Sequence, residues 1–479
     1  MAESASALAS LPGLLHTAEG WAALRAALDA KQSGTVDGAW GSSTALAVAA
    51  LAADAPTTLL AVVPGPSDLP SFTEDLASFA GSRPTVFEAW ETWPPPTHKG
   101  QLDPATTSRL RLLQTLPVDP PKLIVCTMAA LIQPVPARDA MANRGMKLAK
   151  GEVIDPSELA GWLLANGYKR IEAVEYPGEF SRRGGIVDIF PPDVTDPVRL
   201  EFFGDEVESI RTFATGSQRS LEEKASITLL EVNRDAESSE RSAGPTGFFT
   251  EYLPPDSRIA LVEPGDLKEA AKLFFDRVSH AGGLFDSQQA FRYLMEFPTI
   301  AVSSMPRASV EQSVHLRVES VERFSGNVHR VRDELDAVGA GGGNVIIACQ
   351  TDAEAHRLAE VLAAGQLAQS KRLQLVTGHV RSGFRLVDRG LVVLGSHEIF
   401  HKDLLPRHEG TGRPGASPAG RSNRGPSIRS FRTKAITWFT STTVLAASAM
   451  RLLEKGQLSG GVSPPCLKRD DDDVYQSAA

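Results

Sequence analysis

Cysteine is scarce in this sequence: 479 residues hold three, Cys126, Cys349 and Cys466, far apart. No two of them have the spacing of a metal knuckle or a redox dithiol, which fits a reducing cytoplasm. Cys126 and Cys349 each close an apolar, strand-like run, the pattern of core packing. Long apolar runs are missing too. None approaches the roughly 18 residues that a membrane-spanning helix needs. The first residues lack the basic region before an apolar core that marks a secretory signal. Excess positive charge is also lacking. The formal net charge of −9 argues against a nucleic-acid surface over the whole chain, which would be basic. The ten histidines show no HExxH spacing and no pairing with cysteine, and no nucleophile-elbow motif occurs. The dipeptide Gly-Lys does not occur at all, so a complete phosphate-binding loop is excluded.

What is present is ordinary for a soluble globular chain: 42% apolar and 22% charged residues, with length for about three domains. Strand and helix patterns alternate through the first 130 residues. A helix is expected around residues 19–30. A strand, a glycine loop and an apolar helix follow in GTVDGAWGSSTALAVAALAA. Strands are expected at Thr58–Val63, Thr85–Trp90 and Lys122–Cys126, and helices at Leu69–Phe79 and Ser108–Leu116. Such alternation implies a mostly parallel sheet. The same texture returns at Ser257–Pro264 (strand), Leu267–Val278 (helix) and Ala301–Ser303. A further small α/β pattern starts near Val321. It contains the buried run Asn344–Cys349, a helix opened by a Thr351/Glu354 capping pattern and stopped by Gly365, and the runs Leu373–Gly378 and Leu391–Ser396.

Residues 146–230 differ. One helix is expected, Pro156–Asn166, with Asp155 as N-cap and Gly167 as its stop. The rest reads as strands and turns, with turn signals at Pro177-Gly178, Pro191-Pro192-Asp193 and Gly204-Asp205. The cleanest strand is Val198–Phe203. Alternation puts Val198, Leu200 and Phe202 on a core face, and Arg199, Glu201 and Phe203 on the other. Gly204-Asp205 suits a type II′ hairpin turn into a strand Glu206–Phe213. Gly184-Gly185 suggests a bulge or a close backbone approach. An arginine and an aromatic side chain on an exposed face are the residue types enriched at interface hot spots.

The run PGEFSRRGGIVDIFPP, then PVRLEFFGDEVESIR, then SQRSLEE, resembles the UvrA-binding domain shared by bacterial transcription-repair-coupling factors and the excision-repair helicase UvrB. The SQRSLEE ending and GFRLVDRGLVVLGSHEIF favour the coupling-factor family, and the resemblance covers residues 1–400. It implies an α/β fold: a degenerate helicase-like parallel-sheet domain, 1–145 with 231–320, interrupted by a small α+β UvrA-binding domain, 146–230. A second small α/β domain, 321–400, and a mostly disordered tail, 401–479, complete the expectation. Partner contacts in the family fall on residues matching Arg183, Arg199 and Phe203, so UvrA is the implied partner. RNA polymerase and damaged DNA are implied through the full-length protein, an ATP-dependent DNA translocase. UvrB itself, a working excision-repair helicase, is the alternative.

The same resemblance locates a degenerate phosphate loop at Gly38–Ala45. Gly38 and Gly41 remain, but Thr44 and Ala45 stand where Lys and Ser/Thr belong. This chain is therefore expected to use no cofactor, neither ATP nor magnesium, to have no catalytic residue, and to act without the family's motor. Asp205-Glu206 and Asp333–Asp336 read as solvated faces rather than magnesium ligands. The tail, rich in Gly, Ser, Pro and Arg from Glu409, stands where a polymerase-binding domain is implied. A reading-frame change between about Arg407 and Ile436 would account for that.

Overall fold

The computed structural model describes residues 4–95, 103–139, 145–230, 246–278, 281–305, 312–321, 324–325 and 330–400. All of them belong to one compact unit, residues 1–407. The expected tail, 401–479, lies outside the described residues.

A seven-stranded sheet forms the base. Its strand order is Ser313–His315, Gly34–Asp37, Thr299–Ser303, Arg258–Val262, Leu59–Val63, Leu123–Thr127, Thr85–Phe87. Every neighbouring pair is parallel. The three adjacent interior runs RIALV, LLAVV and LIVCT are buried at every position. Continuous burial is why they read as unbroken apolar runs: a parallel sheet is covered on both faces. Cys126 sits in this core and Cys349 in that of the smaller sheet below, both as free thiols. Burial pushes the Cys126 thiol far above its usual range and Cys349 up to about 12. The helix Ser42–Asp54 is buried along SSTALAVAALA, as expected of a helix apolar all round.

Strands of this sheet come from both sides of a long insertion. The chain leaves through Met146–Ala149 and returns through Ser226–Leu229, and those two strands pair antiparallel, Met146 opposite Leu229. Between them lies a six-stranded sheet in the order Ser220–Glu223, Glu206–Phe213, Val198–Phe203, Ile186–Ile189, Glu179–Arg183, Lys169–Arg170. Helix Pro156–Ala165 covers one face, burying Leu159 and Leu163 against Phe180, Val187, Leu200 and Ile210. Asp155 caps that helix by accepting from the Ser157 amide, as expected from the sequence.

A five-stranded sheet, in the order Val318–Ser320, Phe384–Leu386, Leu391–Gly395, Asn344–Cys349, Leu373–Thr377, mixes antiparallel and parallel pairs. One face has its own core around Leu335, Ile347 and Leu394. The other shares a core with the seven-stranded sheet, where Ile346, Val380 and Phe384 join Leu8, Leu76 and Phe79. Thr351 caps the helix Asp352–Leu362. Gly365 does not stop that helix; it stands at the N-cap of the next one, Gln366–Gln369.

Candidate functional site

The strand Val198–Phe203 sets the geometry of the inserted sheet. Val198 and Leu200 are buried, whereas Phe203 is 80% exposed. Phe202 is on the core side but only half-buried, so the expected third core position is a rim position. The turn after Phe203 has Gly204 at φ +65° while Asp205 is not left-handed, which is the II′ pattern. The partner strand carries a bulge. Glu201 pairs Ser209 and Phe202 pairs Val207, leaving Glu208 as the extra residue. This phase shift lets Val207 and Ile210, three apart, face the same core; both are fully buried.

Gly184-Gly185 is a two-residue hairpin turn, with Arg183 paired to Ile186 and Gly184 at φ +62°. Of the bulge or close approach expected at these glycines, the close approach is found: the Phe202 amide donates to Gly185 O at 2.8 Å. The bulge lies on the neighbouring strand instead.

Pairing fixes the faces. Arg183, Ile186 and Glu201 form one row, and Ser181, Asp188, Arg199 and Arg211 the next. Directly paired residues project to the same side. Arg183, Arg199 and Phe203 therefore share the face opposite the helix. Arg182 is on the helix side, where its Nη1 donates to Ser157 Oγ at 2.9 Å. Arg183 is exposed and gives one hydrogen bond, Nη2 to Glu172 O at 3.0 Å. Arg199 is held inside the sheet face. Its Nε and Nη2 donate to the two oxygens of Asp188 at 2.6 and 2.9 Å. Its guanidinium carbon lies 4.6 Å from the centroid of Phe213, which is buried with Val174 and Phe190.

The phosphate-loop position has a different geometry. Gly38 and Gly41 both have positive φ, and Gly41 precedes the helix Ser42–Asp54 as in a strand-to-helix loop. Space there is taken. A Cβ on Gly41 would lie 2.8 Å from Ser382 Cβ. Ser42 Oγ donates to Asp75 Oδ2 at 2.5 Å and accepts from the Ser382 amide at 2.9 Å. Asp75 Oδ1 faces His379 Nδ1 at 2.6 Å and accepts from the Arg381 amide at 3.0 Å. Thr44 and Ala45 are buried. A carboxylate and a neighbouring loop occupy the seat where backbone amides would wrap phosphate, so these residues do not fit a nucleotide. Among the described residues no cluster of three metal-ligating side chains occurs, and no helix is long and apolar enough to cross a membrane. Ser42, Asp75, His379 and Ser382 gave no sequence signal, because 33 to 340 positions separate the bonded partners.

Residues 146–233 match the family described as the UvrB interaction domain, which defines the inserted sheet as a module of that class. The chain is similar to the N-terminal portion of transcription-repair-coupling factors. It is 39% identical over 121 residues to that of Bacillus subtilis, covering 25% of this chain and 10% of the relative. Against the Escherichia coli protein identity is 28% over 273 residues, 49% of this chain and 24% of the relative. Against a Staphylococcus aureus protein it is 23% over 373 residues, 61% and 32%. The chain thus spans between 10% and 32% of the length of these curated relatives.

Proposed function

We propose that this chain is a UvrA-recruiting module of a transcription-repair-coupling factor, acting in transcription-coupled nucleotide excision repair in the cytoplasm. UvrA docks on the sheet face opposite the helix. The observation that carries this reading is Phe203: an aromatic ring 80% exposed at a hairpin tip, inside a segment of the UvrB interaction class. An exposed aromatic ring that becomes desolvated on binding is a typical interface anchor. Arg183 offers an exposed guanidinium on the same face, suited to a carboxylate on the partner. Arg199 acts mainly by holding the face in shape. RNA polymerase and damaged DNA are partners of the full-length coupling factor and are reached through its ATP-driven translocase.

This chain works without a nucleotide or magnesium of its own. The reading of it as a UvrB-type helicase is disfavoured by the filled seat at Gly41. Purified chain and UvrA are mixed and resolved by size-exclusion chromatography. Co-elution that Phe203→Ala abolishes supports the proposal, and absence of co-elution at micromolar concentrations overturns it.

A further inference from the structure

One exposed apolar residue near this face belongs to no motif. Val153 is 74% exposed. Its segment lies along the start of the strand that follows the Gly204-Asp205 turn, on the side away from Phe203 and ahead of the pairing with Ser220–Glu223. The Ile154 amide donates to Asp205 O at 2.7 Å, the Gly151 amide to Val207 O at 2.8 Å, and the Val207 amide to Glu152 O at 2.9 Å. Glu206 is thereby paired on both sides, with Phe203 in one neighbour and Val153 in the other. Paired residues in adjacent strands project together, about 4.8 Å apart. Phe203, Glu206 and Val153 consequently form one row on one face, with the carboxylate between two exposed apolar groups.

Three other carboxylates on this face are already engaged. Asp188 holds Arg199, and Glu201 accepts from Ser209 Oγ at 2.6 Å. On the edge strand Glu223 pairs with Lys150. Glu206 is exposed and has no side-chain partner among the described residues. Burying it beside Phe203 without a counter-charge would be costly.

We propose that the docking face continues past Phe203 to Val153, and that UvrA meets this row with an apolar surface carrying a basic side chain opposite Glu206. This rests on the reading of the face as a UvrA site. Complementary charge of this kind sets register and association rate as much as affinity.

The test uses the full chain and purified UvrA, with affinity measured by biolayer interferometry at low and high salt. The variants are Phe203→Ala, Val153→Asp, Val153→Ser, Glu206→Gln and Glu206→Lys, with Leu273→Asp, at an exposed position of the helix Pro264–Arg277 outside the insertion, as control. Urea midpoints check each fold. Val153→Asp and Glu206→Lys are expected to weaken binding about tenfold or more, and Glu206→Gln to weaken it less and flatten its salt dependence. Val153→Ser is expected to weaken binding severalfold, and Leu273→Asp to leave it unchanged. If Phe203→Ala weakens binding while the Val153 and Glu206 variants match wild type, the extension is wrong and the UvrA site stands. Tighter binding by Glu206→Lys overturns the basic counter-charge. If Phe203→Ala binds like wild type, the underlying face assignment falls, and the extension with it.

Discussion

Arg199 forks onto Asp188 with two hydrogen bonds, at 2.6 and 2.9 Å, and lies over the ring of Phe213. Asp188 is buried, so the arginine is its counter-charge as well as a surface group. Removing one partner of such a pair leaves an uncompensated carboxylate, which costs about 3 kcal/mol. Arg199→Ala is therefore expected to lower the urea midpoint clearly, where Arg183→Ala leaves it near wild type. Equal midpoints for the two would show that the fork contributes little. Any loss of UvrA binding in Arg199→Ala has to be read against that loss of stability.

Phe202 and Phe203 are expected to separate folding from docking. Phe203→Ala is expected to change stability by less than about 0.5 kcal/mol, since its ring is exposed, and to weaken UvrA binding by about 2 kcal/mol or more. Phe202→Ala is expected to cost roughly 1–3 kcal/mol of stability, less than a fully buried phenylalanine would, because the ring is on the rim of the core. Chemical denaturation and affinity measured on the same preparations distinguish the two.

Asp193 gives the insertion a pH dependence. It is buried, and burial pushes its carboxyl up to about 6, against the smaller pull of its own backbone amide and of Arg111. Arg111 in turn donates to Val194 O at 2.8 Å, tying the helix Pro104–Thr115 to the inserted segment. A raised folded-state value means the native state holds the proton more tightly than the unfolded chain. Stability from this group is therefore greatest below about pH 4 and falls as pH rises to about 6. Asp193→Asn is expected to gain roughly 2–3 kcal/mol at pH 7–8 and nothing at pH 4. Urea titrations at the two pH values check it, and a gain independent of pH would refute the assignment.

The node around Asp75 gives a fourth expectation. Its carboxylate serves Ser42, His379 and the Arg381 amide. Asp75→Ala leaves buried donors unsatisfied and is expected to cost about 2–4 kcal/mol. It should also raise protease sensitivity around residues 379–383. Thr44→Lys is expected to yield no ATP binding by calorimetry, because Ser382 still fills the seat beside Gly41.

Much of the fold is legible locally. The unbroken apolar runs give the parallel strands, and alternation along Val198–Phe203 gives the exposure of Phe203. Asp155 gives the helix cap. The unread parts share one physical cause: they depend on pairing between distant segments. Whether Arg199 is free or engaged depends on Asp188 arriving opposite it in register. The bulge at Glu208 is visible only in the mismatch between two strands. The place of Val153 beside Glu206 needs a main-chain bridge across 53 positions. The filled seat at Gly41 needs Ser382, more than three hundred residues away.

The pairing of Met146–Ala149 with Ser226–Leu229 has a consequence for the gene as much as for the protein. Strands that leave and return side by side bring the two ends of the insertion to within about 5 Å of each other. A loop of two or three residues could bridge that gap. The inserted segment is thus a cassette: its coding sequence can enter or leave the α/β scaffold at one junction without altering any strand order on either side.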